Sequence, residues 1–353
     1  MNPSLLKYSL LVPTSMGVRL TPAAGQPAHL GGSFTLQATS AETNVASVIS
    51  ALGMPVKVLT AFVQGHPFAA FIRSDLRARG MSPEGPELPQ GGPWGLRHQI
   101  NIADSGSGVR GPRVWNDRAG EAGRQLRSED FDLEHIFGVE GVRLMHLSGL
   151  IAAIAPQFCM DLVEAARAHG TQVSFDLNYR ASFWEGHEAE YRSVFTRIAS
   201  AADVLVGNEE DFQLCLGLEG PETGGKDLAA KTEAFRTMAV AVRARFPKAR
   251  IVATTLREVR DAGLHLWGAV VSDPAETIVI QPREIRVLDR IGGGDGFTGG
   301  LLYGLLKGWD TERCAQFGWA AGALATTLLT DYALPADEEQ VWSIWNGNAR
   351  VRR

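Results

Sequence analysis

Apolar positions along this chain recur with two periods, and the mixture changes near residue 130. Residues 9–12 and 17–20 read as short strands separated by turns rich in Pro and Gly. Over residues 41–52 the spacing turns helical: Val45, Val48, Ile49 and Leu52 fall on one face, and Gly53 and Pro55 end the run. A buried strand follows at 56–62, then a helix at 68–79 stopped by Gly80. Residues 82–95 are rich in Pro and Gly and predict a loop. Strand character returns at 97–102 and 113–116, joined by a polar turn at 104–111.

Beyond residue 130 strands and helices alternate. Strands are predicted at 142–147, 172–177, 204–206 and 250–254, with helices at 156–169, 188–201 and 229–245 between them. A further strand candidate covers 285–288, and Trp342 and Trp345 mark a C-terminal helix anchored to the body. Such alternation predicts an α/β fold with a doubly wound parallel sheet. Sites in these sheets lie at the carboxyl ends of strands. Polar clusters fall there: Asp176-Leu177-Asn178-Tyr179-Arg180, Asn208-Glu209-Glu210-Asp211 and Thr254-Thr255-Leu256-Arg257.

Composition narrows the class without choosing a function. The chain has 353 residues, 45% hydrophobic and 21% charged, enough for two domains or one α/β unit with an appendage. A formal net charge of -5 with no long charge run argues against nucleic acid and membrane surfaces as partners. Cys159, Cys215 and Cys314 are scattered and odd in number, which fits a reducing cytoplasm. The apolar Leu10-Leu11-Val12 is too short for a signal segment, and Ser148 and Gly149 break the run at 147–154, so no membrane span is expected.

The sharpest chemical signal is Asp289-Arg290-Ile291-Gly292-Gly293-Gly294-Asp295-Gly296-Phe297-Thr298-Gly299-Gly300. Three glycines lead into Asp295, which opens a helix with Phe297, Leu301, Leu302, Leu305 and Leu306 on one face. A glycine turn entering a helix presents free N–H groups at the positive end of the helix dipole, where phosphate or a developing anion binds. A carboxylate there would repel a resting phosphate. It suits the site if it takes a proton from a hydroxyl while the N–H groups receive the charge of a phosphoryl group in transfer. The bland alternative is a tight turn with Asp295 as helix cap. A dinucleotide fingerprint through Gly294, Gly296 and Gly299 fits less well, because too little chain follows to complete that fold. Residues 220–226 approximate a phosphate loop, but Asp227 stands where a metal-binding hydroxyl is needed, so a surface loop is expected. His187 and Glu190 share a helix face without a third metal ligand. Asn208 and Asp211 also read as a helix cap, and Arg118 and Arg180 as surface ion-pair partners.

Together these residues resemble the PfkB, or ribokinase-like, sugar kinases, and within them the 2-keto-3-deoxygluconate kinases. The resemblance is carried by residues 289–300, Phe175-Asp176-Leu177-Asn178-Tyr179-Arg180, His146-Leu147-Ser148-Gly149, Asn208-Glu209-Glu210-Asp211, Trp115-Asn116-Asp117-Arg118-Ala119-Gly120 and Asn44-Val45-Ala46. It implies a ribokinase-like, Rossmann-type sheet with a small β-sheet lid. By position the lid takes residues 8–40 and 94–120, and the α/β core 41–93 and 121–353. It implies phosphorylation of a terminal hydroxyl by ATP with Mg²⁺. Carried over residue by residue, Asp295 is the base and Gly292, Gly293 and Gly294 form the anion hole. Asn208 and Asp211 match an Asn-x-x-Glu motif that organises Mg²⁺ through water, with the last residue one methylene shorter; no direct metal ligand is expected. Thr255, Leu256 and Arg257 match a nucleotide-contacting segment. Arg118, Asn178 and Arg180 match the substrate side, where guanidinium forks suit a carboxylate. A homodimer through the lid sheet is expected.

The sugar-facing half departs from the family pattern. Thr39-Ser40 replaces a Gly-Gly turn, Thr14-Ser15 replaces Gly-Glu, and Arg97 and Asn116 stand where the lid carries tyrosines. Thr39, Ser40, Arg97 and Asn116 are therefore expected to reshape the sugar pocket. Three readings stay open: a kinase of a sugar acid or ketose, with 2-keto-3-deoxygluconate leading; a non-catalytic sugar-binding or regulatory protein; and a kinase of another metabolite, such as a nucleoside or fructose derivative. The intact glycine loop favours the first and the altered turn the second. Arg97, Arg118 and Arg180 favour an anionic substrate over a nucleoside.

Overall fold

A computed structural model describes residues 6–219 and 228–348; residues 220–226, read above as a surface loop, lie outside them. Along the chain, β1 (Tyr8–Pro13) is followed by β2 (Gly17–Pro22), β3 (Phe34–Thr39), α1 (Ala41–Ala51), β4 (Val56–Leu59), β5 (Phe62–Val63), α2 (Pro67–Ala78), β6 (Met81–Glu84) and β7 (Glu87–Leu88). Next come β8 (Gln99–Asp104), β9 (Arg113–Asp117), β10 (Val142–Ser148), α3 (Gly149–Ile154), α4 (Pro156–Ala168), β11 (Gln172–Asp176) and the single turn α5 (Ala181–Trp184). Then follow α6 (Glu188–Ala201), β12 (Val204–Val206), α7 (Glu209–Leu216), α8 (Leu228–Arg245), β13 (Ile251–Asp261), β14 (Leu264–Ser272), β15 (Thr277–Arg286), α9 (Gly293–Lys307), α10 (Thr311–Ala325) and α11 (Glu338–Trp345).

Nine strands form one sheet in the order β15-β14-β13-β12-β11-β10-β1-β4-β6, and β3-β2-β8-β9 form a separate lid sheet. Pairing is parallel from β6 across to β13. Both faces of the parallel part of the sheet are covered, so its central strands are apolar on both sides. In β1, Leu10 and Val12 enter one core and Leu11 the other. That pattern makes residues 8–13 a central strand, so the lid begins at Gly17 rather than at residue 8.

The parallel sheet gives way at one edge to an antiparallel meander, β13-β14-β15. β13 runs to Asp261, well past the predicted stop at 254. The outer ends of β13 and β15 are polar and solvent-exposed, so hydrophobic periodicity does not mark them. The predicted loop at 82–95 contributes β6 and β7. β6 is the opposite edge of the sheet, where Pro83 is tolerated because an edge strand can spare an N–H. β3 has no counterpart among the predicted strands; its first residues are exposed.

α9 is packed tightly between two neighbours. A Cβ at Gly299 would lie 2.5 Å from the Val45 carbonyl of α1, and one at Gly300 would lie 2.8 Å from Ala321 of α10. Trp342 packs at a tilt on Trp309 and edge-on against Phe317, and Trp345 edge-on against Trp319, so both anchor α11 as expected. Among the described residues no helix is long and apolar enough to cross a membrane. From β1 the chain moves to β4 on one side, while β10 lies on the other. This reversal opens a crevice beyond the carboxyl ends of β1, β10, β11 and β12.

Candidate active site

The start of α9 stands over that crevice. Gly292 caps the helix with φ 81°, and a Cβ there would sit 1.8 Å from the Asp331 carbonyl oxygen, so conformation and space both demand glycine. Gly293 is buried against Thr326 and Trp267. Gly294 is exposed, with nothing within 4 Å of where its Cβ would be. Asp295 follows in the first turn and accepts a hydrogen bond from Asn44 Nδ2 at 2.8 Å. The close packing of α1 on α9 delivers that asparagine. Burial pushes the Asp295 carboxyl up to about 6; Asn44 and Arg180 pull against this and Glu42 adds to it. Such a group is mostly ionised at neutral pH and more basic than an ordinary aspartate.

Strand ends supply the surroundings. Asp176, ending β11, is pushed well above the usual carboxylate range by burial and then by the charges of Asp211 and Asp295. Asn178 has φ 42°, the one non-glycine among the described residues in the left-handed region, and its side-chain oxygen is buried without a partner. Strain combined with a buried, unpaired acceptor sets Asn178 apart from its neighbours. Arg180 is exposed, and its charge reaches Asp176, Asp211 and Asp295. Behind Asp295, Glu42 is buried, accepting from Thr14 Oγ1 at 2.5 Å and from Ser148 Oγ. Its carboxyl is raised by burial against those two hydrogen bonds.

The pfkB family carbohydrate kinase model matches residues 15–244 and 267–336. The chain belongs to this family. It is 26% identical over 343 residues to a 2-dehydro-3-deoxygalactonokinase of Haloferax volcanii, covering 95% of this chain and 96% of that one. It is 24% identical over 328 residues to a 5-dehydro-2-deoxygluconokinase of Clostridium tetani, covering 89% and 86%. A solved structure of 2-dehydro-3-deoxygluconokinase from Thermotoga maritima superposes with a TM-score of 0.84 at 28% identity, covering 96% of this chain and 100% of that one.

Within this pfkB kinase, the residues nominated from sequence fall into two groups. Asp295, Gly292, Gly293, Gly294, Asn178 and Arg180 converge on the crevice. Asn208 and Asp211 stand beside it but form a capping box: each accepts the other's backbone N–H at 2.8 Å, and Asp211 also takes the Tyr179 N–H at 3.1 Å. The helix-cap reading of this pair is therefore realised. Thr39 and Ser40 spend their hydroxyls inside the protein. Thr39 Oγ1 donates to Asp331 at 2.6 Å, and Ser40 caps α1 by accepting from the Thr43 N–H at 3.2 Å. Arg97 pairs with Asp117 on the lid, and Asn116 is exposed on β9. Arg118 bonds Glu121 at 2.6 Å and lies over the Phe183 ring, with its Nε buried and unpartnered. Thr255, Leu256 and Arg257 lie within β13 rather than past its end, and Leu256 points into the core.

Asn44, Asp176 and Arg290 fall in segments that the sequence singled out but were given no individual role, and Glu42 was not singled out at all. Asp176 carried a usable signal, because it ends a run of buried apolar strand residues. Glu42 carried none: a glutamate in a first helical turn is ordinarily a solvated, dipole-favoured residue.

Proposed function

We propose that this protein transfers a phosphoryl group from ATP to the terminal hydroxyl of a keto-deoxy sugar acid, with 2-keto-3-deoxygluconate the leading substrate. The observation that supports this most is Asp295: a carboxyl raised to about 6, held by Asn44, one residue past three glycines at the mouth of the same crevice. The three relatives above are named for keto-deoxy sugar acids. That class has a carboxylate for arginines to read and a hydroxyl at the far end.

The residues suit a polyphosphate. Neither Arg257 nor Arg290 has a side-chain hydrogen bond or ion pair among the described residues. Burial and neighbouring positive charge hold Arg257 down to about 10, and burial lowers Arg290. Asp289 offsets part of the Arg290 charge, but the positive charge around Arg257 is relieved by an anion, and the open face of Gly294 admits one. When bound, ATP with Mg²⁺ supplies the electrophilic phosphoryl group. Asp295 takes the proton of the sugar hydroxyl. The amides of Gly292, Gly293 and Gly294 face the negative charge that builds up during transfer. Arg180 and Arg118 orient the sugar acid, and the free oxygen of Asn178 accepts from one of its hydroxyls. Asn208 and Asp211 would hold water around Mg²⁺.

An ADP-coupled assay over sugar acids, ketoses and nucleosides tests this reading. Turnover confined to keto-deoxy sugar acids is expected; turnover only with a nucleoside or fructose derivative, or with nothing, defeats it. We also propose a homodimer through the lid, where β9 leaves Val114 and Trp115 exposed. A monomer in sedimentation equilibrium would defeat that proposal.

A further inference from the structure

Beneath the glycine loop lies a buried charge cluster that the reaction described above does not use. Arg19, on β2 of the lid, is completely buried, and its two terminal nitrogens divide between Asp289 and Asp331. Asp289 also accepts from Ser105 Oγ at 2.7 Å and from the Ile291 N–H at 3.0 Å. Asp331 also accepts from Thr39 Oγ1 at 2.6 Å, and its carbonyl oxygen packs directly on Gly292. The two carboxylates therefore bracket the loop, one at its entrance and one against its cap. Arg19, Thr39 and Ser105 come from β2, β3 and the residue after β8, three separate parts of the lid.

A guanidinium suits this place in a way other side chains do not. Its planar fork reaches two carboxylates at once and fixes the angle between them. An ammonium keeps the charge and loses the fork. A neutral side chain leaves two buried carboxylates unbalanced, and they would move apart. Because the loop's amides must be aimed before charge develops, small displacements of Asp289 or Asp331 bear on turnover more than on ground-state binding.

We propose that Arg19 is a positioning residue that aims the amides of Gly292–Gly294 and ties their geometry to the seated lid. The proposal rests on the kinase reading for its kinetic consequence, though not for its structural one. Arg19→Lys is expected to lower kcat at least about 10-fold while the KM for the sugar acid changes far less. Arg19→Ala is expected to lose more, and dilute guanidinium is expected to restore part of its kcat, whereas urea, a neutral molecule of the same shape, is not. Hydrogen exchange of the 288–296 segment is expected to quicken in both variants. Ser105→Ala, which leaves the ion pairs intact, should quicken it modestly and guards against an Arg19 variant that fails to fold. Unchanged kcat and unchanged exchange in Arg19→Lys and Ser105→Ala would overturn the proposal, as would equal rescue by urea. If the wild type phosphorylates no sugar acid, the kinase reading fails while the exchange measurement still decides the role of Arg19.

Discussion

Replacing Asp295 with Asn is expected to abolish turnover and to stabilise the fold at the same time. The carboxyl rises from an ordinary 3.8 to about 6 on folding, chiefly through burial. Because the folded value lies above the unfolded one, ionisation is disfavoured in the native state. The resulting cost is absent below about pH 4, grows between about 4 and 6, and is complete above. A shift of roughly two units corresponds to about 3 kcal/mol. Asp295 keeps some solvent exposure, and screening reduces that to about 1–2 kcal/mol. Asn removes the charge and keeps an oxygen for the Asn44 amide, so the cost disappears. With 353 residues and an unfolding entropy of about 2.1 cal/mol/K per residue, the gain corresponds to a Tm higher by roughly 1.3–2.7 °C at pH 8, and about half that at pH 5. Turnover should fall by about two to four orders of magnitude, the usual loss for a positioned base. Thermal melts at both pH values and an ADP-coupled assay read the two effects. Wild-type turnover in the variant would refute the base assignment, and a lower Tm at pH 8 would refute the buried-charge account.

Three further substitutions probe other parts of the site. The wild-type pH profile of kcat/KM should rise with a midpoint near 6, and Asn44→Ala should move that midpoint upward, because the lost hydrogen bond favours the ionised carboxylate; an unmoved profile would show that Asn44 does not tune the base. Arg180→Ala should weaken a sugar acid by roughly 10–150-fold relative to its neutral alcohol analogue, the value of a charge-assisted hydrogen bond; equal losses would mean that Arg180 does not read the carboxylate. Gly292→Ala combines a left-handed residue with a collision against Asp331 and should lower both Tm and kcat; wild-type values for both would contradict the loop geometry.

The glycine entry to α9 and the carboxylate in its first turn were legible in the sequence because glycine and a following aspartate declare backbone conformation and charge together. The strand ends were legible for the same reason: Asn178 and Arg180 follow a short buried strand whose boundaries are sharp. Less visible was what depends on distant partners. Nothing local separates Glu42 from an exposed helix-start glutamate; it becomes a buried acid only when Thr14 and Ser148 meet it across the sheet. Thr39 and Ser40 look like pocket residues when set against a Gly-Gly turn, yet one braces Asp331 and the other caps α1. Thr255–Arg257 looked like a strand end because the polar outer half of β13 carries no hydrophobic period, although the strand continues to Asp261. The covered parallel strands were readable from their apolar runs; the solvent-facing meander at the sheet edge was not.

In the proposed reaction, Asp295 and the glycine loop move a phosphoryl group onto the terminal hydroxyl of a keto-deoxy sugar acid. The most direct measurement is phosphorus NMR of the product formed from ATP, Mg²⁺ and 2-keto-3-deoxygluconate, run beside its galactonate epimer and 5-keto-2-deoxygluconate. A phosphate monoester on the terminal carbon of at least one of the three, absent with Asp295→Asn, is the predicted result. Inorganic phosphate alone, or an ester that persists in the Asn variant, would contradict the account.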